Sequence, residues 1–191
     1  MAGLSDEELM IRAREGDADA FCELAARHHA WIERFLYHMT WDREQAEDGA
    51  QEVLVRVWLA RERYQPTARF STFAFTVARN WWRNLRARRN SRPPVVALED
   101  QVGPQARALL RELTTPDDVP ERELLRGYER FRIRQAIDAL PEAQRVVFVL
   151  SHLQGLPHTE ISALLSIPEG TVKSRMHHAY RKLREALCEE E

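Results

Sequence analysis

The sequence predicts an all-α protein made of two small helical units joined by a flexible acidic linker, and three observations carry that expectation. Glycine is scarce, seven residues in 191, which disfavours the many tight turns of a β fold. Apolar residues recur at steps of three and four through most of the chain, the mark of amphipathic helices. From 91 to about 122 that period fades, leaving only a short run from Gln105 to Leu113, and Pro93, Pro94, Pro104, Pro116 and Pro120 punctuate the stretch. With 44% hydrophobic and 30% charged residues, the chain can bury one ordinary core or two small ones. The expected boundaries are an extension over 1–16, a first unit over 17–90, a linker over 91–125 and a second unit over 126–188.

Near the start, Ser5-Asp6-Glu7-Glu8 reads as a capping box opening a short helix. From Asp17, the positions Phe21, Leu24, Ala25, His28, Trp31, Ile32, Phe35 and Met39 form one apolar stripe that ends near Thr40. A further helix is expected from about Arg43 to Arg63, with Ala46, Ala50, Val53, Leu54, Val57 and Trp58 on one side. Asp48, Gln51, Glu52 and Arg56 then face outward. Tyr64-Gln65-Pro66-Thr67 breaks the pattern, because proline cannot continue a helix. A third long helix follows over 71 to about 89, with Ser71 or Thr72 as its N-cap. After the linker, Leu124 to Ala139 forms one helix, and Pro141 opens another that ends at Gln154-Gly155.

The net charge of -2 conceals a pattern. Residues 1–62 carry 14 acids against 7 bases, whereas residues 63–98 carry eight Arg and no acid. Residues 99–123 return to seven acids against three bases, and residues 170–184 hold five Lys or Arg and no acid. Two basic islands in an acidic chain suggest separate polyanion-binding faces and an acidic surface for a basic protein partner. Cys22 and Cys188 belong to no C-x-x-C pair, so neither a disulfide framework nor a zinc site is indicated. The polar start lacks the pattern of a signal peptide, and no apolar run reaches the roughly 18 residues of a membrane span. A cytoplasmic protein is expected, with no cofactor and no small-molecule substrate.

His158 to Leu187 is the strongest local signal. A helix of about eight residues carrying Ile161, Leu164 and Leu165 is followed by a tight break at Ser166-Ile167-Pro168 and a longer helix from Glu169. Short helix, tight turn and longer helix make a helix-turn-helix. Val172, Met176, Ala179, Leu183 and Leu187 share the inner face of the second helix. Thr171, Lys173, Ser174, His177 and His178 are then candidates for base contact, and Arg175, Arg181 and Lys182 for phosphate. Adjacent His177 and His178 point about 100 degrees apart, so they cannot chelate one ion; His28-His29 fails for the same reason.

The first basic island mixes aromatic residues with Arg from Phe70 to Arg89, the composition of surfaces that hold unpaired nucleic acid. Phe73, Val77, Trp81 and Leu85 are expected to pack inward with Trp58. Asn80, Trp82, Arg83, Asn84, Arg86, Arg88 and Arg89 remain as candidates for nucleic acid.

These residues resemble a known family. Asp48-Gly49-Ala50-Gln51-Glu52-Val53 followed by Trp58 is similar to region 2.2 of bacterial sigma factors, whose pattern is roughly D-x-x-Q-E-x-F-x-x-x-W. Phe70-Ser71-Thr72-Phe73 and Ala78-Arg79-Asn80 resemble regions 2.3 and 2.4. Leu140-Pro141-Glu142, Gly155 to Glu160 and Gly170-Thr171-Val172-Lys173-Ser174-Arg175 resemble region 4. The likeness covers 17–90 and 126–187, with the motifs in the family's order and without its regions 1.1 and 3. It therefore implies the minimal, extracytoplasmic-function (ECF) class: a region 2 helical bundle and a region 4 helix-turn-helix.

The resemblance further implies roles. Asp48, Gln51 and Glu52 would dock on the clamp helices of the largest subunit of core RNA polymerase, whose beta and beta-prime subunits are the implied protein partners. The loop from Tyr64 to Arg69, with Phe70, Ser71, Asn80, Trp82, Arg83 and Arg86, would engage the melted minus 10 element of promoter DNA. Thr171, Lys173, Ser174, Arg175, His177, His178, Arg181 and Lys182 would serve the minus 35 element, and the acidic linker would thread the polymerase channels. Members of this class are usually silenced by an anti-sigma factor, often membrane-anchored, which implies sequestration at the inner membrane. The chain departs from the family pattern at Gly49, at Trp81-Trp82 and at His177-His178.

Other readings remain at this point. An autonomous helix-turn-helix regulator would explain 158–187 but leaves the Asp48-Gln51-Glu52 helix and the first basic island without a task. An enzyme would need a phosphate loop, a metal cluster or a nucleophile-base spacing, and the sequence offers none. An anti-sigma protein would be poorly served by basic islands.

Overall fold

The computed structural model describes residues 3–66, 69–91 and 121–188, and every regular element among them is helical. The region 92–120, which holds most of the expected linker and the Gln105–Leu113 run, lies outside the described residues.

The first helix, α1 (Asp6–Arg14), opens with the expected capping box: the Glu8 carboxylate accepts from Ser5 N–H at 2.8 Å, and Ser5 Oγ accepts from Glu8 N–H at 3.2 Å. In α2 (Ala18–Thr40) the Asp17 carboxylate caps the start, and Trp41 closes the end in the left-handed region at φ 57°. Asp42 caps α3 (Arg43–Leu59), which runs into a 3₁₀ turn at Arg61–Arg63. The expected single helix to Arg63 therefore tightens in its last turn. Helix α1 packs against the first unit, with Leu9, Met10 and Ala13 fully buried beneath α2. Asp6 further ties α1 down, accepting from Arg27 Nη1 at 3.1 Å and lying 2.6 Å from His28 Nε2.

The next helix, α4, spans Phe70–Ser91. Its expected caps, Ser71 and Thr72, lie inside the first turn. Phe70 N–H, one of the donors every helix start leaves unpaired, is satisfied by the Glu7 carboxylate of α1 at 2.9 Å. An acid at the positive end of the helix macrodipole adds to that bond. Phe35, Phe75 and Trp31 stack in one aromatic cluster between α2 and α4.

The second unit begins with α5 (Glu121–Asp138), three residues before the expected Leu124. Pro141 is the N-cap of α6 (Glu142–Phe148) rather than its first helical residue, since its ψ of 141° is extended. That helix widens into a π turn at Val149–Leu153 and stops at Gly155, whose φ of +74° suits glycine. The helix-turn-helix comprises α7 (His158–Leu165) and α8 (Glu169–Cys188). Its turn is fixed by Ser166 in the left-handed region at φ 52° and by Ser162 Oγ donating to Ile167 C=O at 2.6 Å.

The two units pack on one another. Arg145 of α6, only 4% exposed, donates from Nη2 to Met39 C=O of α2 at 2.8 Å and pairs with Asp138 at 2.5 Å. Asp138 also accepts from Trp41 Nε1 at 3.0 Å. Burial pulls the Arg145 guanidinium below its ordinary pKa, and the Asp138 carboxylate works against that shift.

Gly49 explains the first unit's tightest crossing. A Cβ there would lie 2.6 Å from Trp81 Cη2 and 2.8 Å from Leu36 Cδ1, so α3 can approach α2 and the Trp81 ring only without a side chain. Gly49→Ala gains about 1 kcal/mol of helix propensity but overpacks a ring that cannot bend, at a cost of about 1–3 kcal/mol. We expect a net destabilisation of about 1 kcal/mol, read as a lower denaturant midpoint at unchanged m value. A stability equal to wild type would show that the ring shifts freely.

Candidate nucleic-acid interface

The helix α8 has the division its sequence demands. At 100 degrees per residue, Val172, Met176, Ala179 and Leu183 fall within one narrow sector, and all four are buried. Lys173, Ser174, His177, Arg181 and Lys182 are exposed, while Thr171, Arg175 and His178 sit half-buried on the flank nearer the packing face. All eight candidate residues thus lie on one continuous surface of α8. His177 and His178 stand with ring centroids 5.9 Å apart at 69°. Arg181 lies 3.8 Å from Glu185, a pair so exposed that it holds the guanidinium only loosely. Tyr180, whose hydroxyl lies 3.2 Å from His152 Nδ1, joins the same surface, although nothing in the sequence pattern singles it out.

On α4 the outcome divides. Asn80, Arg83, Arg86, Arg88 and Arg89 are exposed, so the acid-free stripe is a real surface. Trp82 is not part of it. Its ring is 3% exposed and its Nε1 donates to Met39 C=O at 3.0 Å, which corrects its expected contact with nucleic acid. Periodicity puts Trp81 inward and Trp82, 100 degrees round the helix, outward, but this helix is enclosed on more than one side and both rings are buried.

Tyr64 and Phe70 need the same correction, being 2% and 0% exposed. Their rings meet Phe73 and each other at centroid distances of 5.5 to 6.5 Å, closing the core below the loop. The exposed part of that loop is Gln65, Pro66 and Arg69; residues 67 and 68 lie outside the described residues. Arg69 and Ser71 line a cavity of about 390 Å³ between the two units, opposite Glu160 and Leu164 of α7.

Three residues absent from the sequence-based candidates matter here. Arg79 Nη2 and Arg83 Nε of α4 both approach Glu142 of α6, at 2.9 and 3.4 Å. Glu142 thus places a carboxylate from the second unit on the cationic face of the first. Arg145 follows it one turn later. The signal available in the sequence was slight: Arg145 directly heads the apolar run from Val146 to Leu150.

The acidic face of α3 lies beside α4. Asp48, Gln51 and Glu52 are exposed, together with Val55 at 55% and Leu59 at 71%. Glu52 is held on both sides: its Oε2 accepts from Trp81 Nε1 at 2.6 Å, and its Oε1 accepts from Arg56 Nη2 at 2.5 Å. The indole bond, with Arg56 assisting, lowers the Glu52 pKa from its ordinary value. Among the described residues no group of three His, Cys, Asp or Glu side chains is placed to hold a metal ion, and no helix is long and apolar enough to cross a membrane.

Comparison with known proteins falls on these same elements. Residues 24–92 match the family Sigma-70 region 2, and residues 130–183 match Sigma-70, region 4. The chain is 36% identical over 179 residues to the ECF RNA polymerase sigma factor SigL of Mycobacterium tuberculosis, covering 93% of this chain and 94% of that one. It is 34% identical over 180 residues to the RNA polymerase sigma factor CarQ of Myxococcus xanthus, covering 94% and 96%. Among solved structures, CnrH in complex with the cytosolic domain of CnrY shares the fold with a TM-score of 0.64 at 22% identity, covering 97% of this chain and 99% of that one. The sigma factor RpoE in complex with the anti-sigma factor NepR, from Bartonella quintana, does so at 0.54 and 19%, covering 90% and 98%.

The Glu52 geometry can be checked alone. Trp81→Phe removes the indole donor and keeps most of the packing, so the Glu52 pKa should rise toward that of a free glutamate in a carboxyl-carbon NMR titration. A titration curve that does not move would assign the shift to Arg56 instead.

Proposed function

The chain belongs to the extracytoplasmic-function branch of the sigma-70 family, and from that membership we propose how its surfaces divide the work of transcription initiation. The protein is a sigma factor that binds core RNA polymerase and directs it to promoters. The exposed α3 face of Asp48, Gln51 and Glu52 docks on the polymerase. The basic face of α4, with Asn80, Arg83 and Arg86 beside Arg69 and Ser71, engages the minus 10 element, where melted bases leave the phosphates of a single strand to be neutralised. The outer surface of α8 reads the minus 35 element in duplex DNA through Thr171, Lys173, Ser174, His177 and His178, while Arg175, Arg181 and Lys182 hold phosphates.

The observation that carries this reading is the coexistence, on one chain, of an exposed acidic helix, an acid-free helix beside it and a helix-turn-helix. An autonomous regulator would use only the last of these. No step of chemistry is assigned to the protein itself. RpoE was solved with the anti-sigma factor NepR, which supports a similar silencing partner for this chain, cytoplasmic or held at the inner membrane.

Replacing Gln51 and Glu52 by Ala should weaken core polymerase binding by about 1–2 kcal/mol, measured by fluorescence anisotropy, with duplex binding unaltered. Unchanged affinity for the core enzyme would sink the docking assignment. Replacing Lys173 and Arg175 by Ala should weaken duplex minus 35 binding and flatten its salt dependence by about 0.9 in slope for each phosphate that is no longer neutralised. A slope equal to wild type would remove both residues from the backbone contacts.

A further inference from the structure

Of the three residues assigned above to polymerase docking, Glu52 alone has its side chain bonded among the described residues. Its Oε2 accepts from Trp81 Nε1 of α4 at 2.6 Å, and its Oε1 accepts from Arg56 Nε at 3.1 Å and Arg56 Nη2 at 2.5 Å. The side chain still keeps 49% of its surface exposed, at the rim of a cleft of about 240 Å³ between α3 and α4. We propose that Trp81 is a positioning residue for polymerase docking: its indole N–H, seated against Gly49, holds Glu52 in the orientation that receives a cationic group of the polymerase. This inference rests on the assignment of α3 to the polymerase, and it gives Trp81 a task separate from packing.

The two partners of Glu52 are not equivalent. Arg56 lies one turn further along α3 and keeps 36% of its side chain exposed, so this is a surface ion pair that water, salt or an incoming cation can displace. The indole is 8% exposed, so solvent has little access to its N–H. It is also neutral. It therefore fixes Oε2 without cancelling the charge that draws a basic partner, and it leaves Oε1 able to exchange Arg56 for that partner. A glutamate on an exposed helix face otherwise samples many rotamers and gives up that freedom on binding. A carboxylate already held gives up less.

The sequence makes this bond possible at two positions. Gly49 lies one turn before Glu52 on α3, and a Cβ there would meet Trp81 Cη2 at 2.6 Å and Cζ2 at 2.9 Å. Those two atoms belong to the edge of the indole next to Nε1, so the close approach at Gly49 is what brings the donor to α3. A leucine or phenylalanine in place of Trp81 would fill the seat without a donor. About two turns before Glu52, Arg89 Nη2 donates to Gln45 Oε1 at 2.5 Å, a second tie that keeps α4 beside the docking face.

A double-mutant cycle on the full-length protein, read as affinity for core RNA polymerase by fluorescence anisotropy, tests the role. Glu52→Ala should weaken binding, and Trp81→Phe should weaken it about three- to tenfold, the usual penalty for immobilising one long side chain at an interface. With Glu52→Ala in place, adding Trp81→Phe should bring no further loss. An equal loss from Trp81→Phe in both backgrounds would make the ring a matter of packing and overturn the positioning role, as would wild-type affinity in Trp81→Phe. Glu52→Asp repeats the test without touching the core. It keeps the charge, but its carboxylate falls one methylene short of the indole, so binding should again drop about three- to tenfold. Affinity equal to wild type in Glu52→Asp would show that charge alone suffices and would also overturn the role. Full affinity in Glu52→Ala is a different failure, since it would bring down the docking assignment itself.

Discussion

The carbonyl oxygen of Met39 sits where a helix has none of its own donors left to offer. It lies in the last turn of α2, among the four carbonyls that intrahelical bonding cannot satisfy, and at the negative end of the macrodipole. Two side chains from different parts of the chain converge on it: Trp82 Nε1 from α4 and Arg145 Nη2 from α6. One bond closes the first unit on itself and the other closes the second unit on the first. The cationic donor suits the site better than a neutral one, because a guanidinium at a helix C-terminus adds a favourable charge term to the hydrogen bond. The same oxygen therefore sets both the position of α4 and the seam where its basic face meets Glu142.

Charge segregation gives that seam its consequence. The five arginines of α4, which carries no acid, would repel one another on an isolated helix, and the fold relieves this from both sides. Glu7 meets the backbone start of α4, Glu52 of α3 takes the indole of Trp81, and Glu142 comes from the second unit. Only the last of these bridges to another unit, and only it lies on side chains assigned to nucleic acid. A carboxylate in that position imitates a phosphate in charge and hydrogen-bonding capacity.

Much of this was legible in the sequence, and the failures have a common cause. Ser5 and Glu8, Asp17, Gly155 and the Ser166-Ile167-Pro168 break act within a few residues of themselves, and the helices begin, end and turn close to where those residues place them. The inner face of α8 was equally plain, because it packs on one side alone. Trp82, Tyr64 and Phe70 were misplaced because a helix enclosed by two neighbours, or a loop roofing an aromatic cluster, buries residues that a single apolar stripe leaves outside. Glu7, Glu142 and Arg145 act across 63 or more residues, where no spacing rule applies. The Gly49 and Trp81-Trp82 departures from the family pattern resolve together in space: Gly49 gives the Trp81 ring its seat, and Trp82 takes the Met39 carbonyl.

The packing of the two units treats the two basic helices unequally. Lys173, Ser174, His177, Arg181 and Lys182 of α8 stay exposed, whereas Arg79 and Arg83 of α4 are engaged and Arg69 and Ser71 face the seam. Duplex recognition reads base edges without separating the strands, so an open α8 surface commits the protein to nothing irreversible. Holding unpaired bases requires that something first melt the duplex at a cost of several kcal/mol.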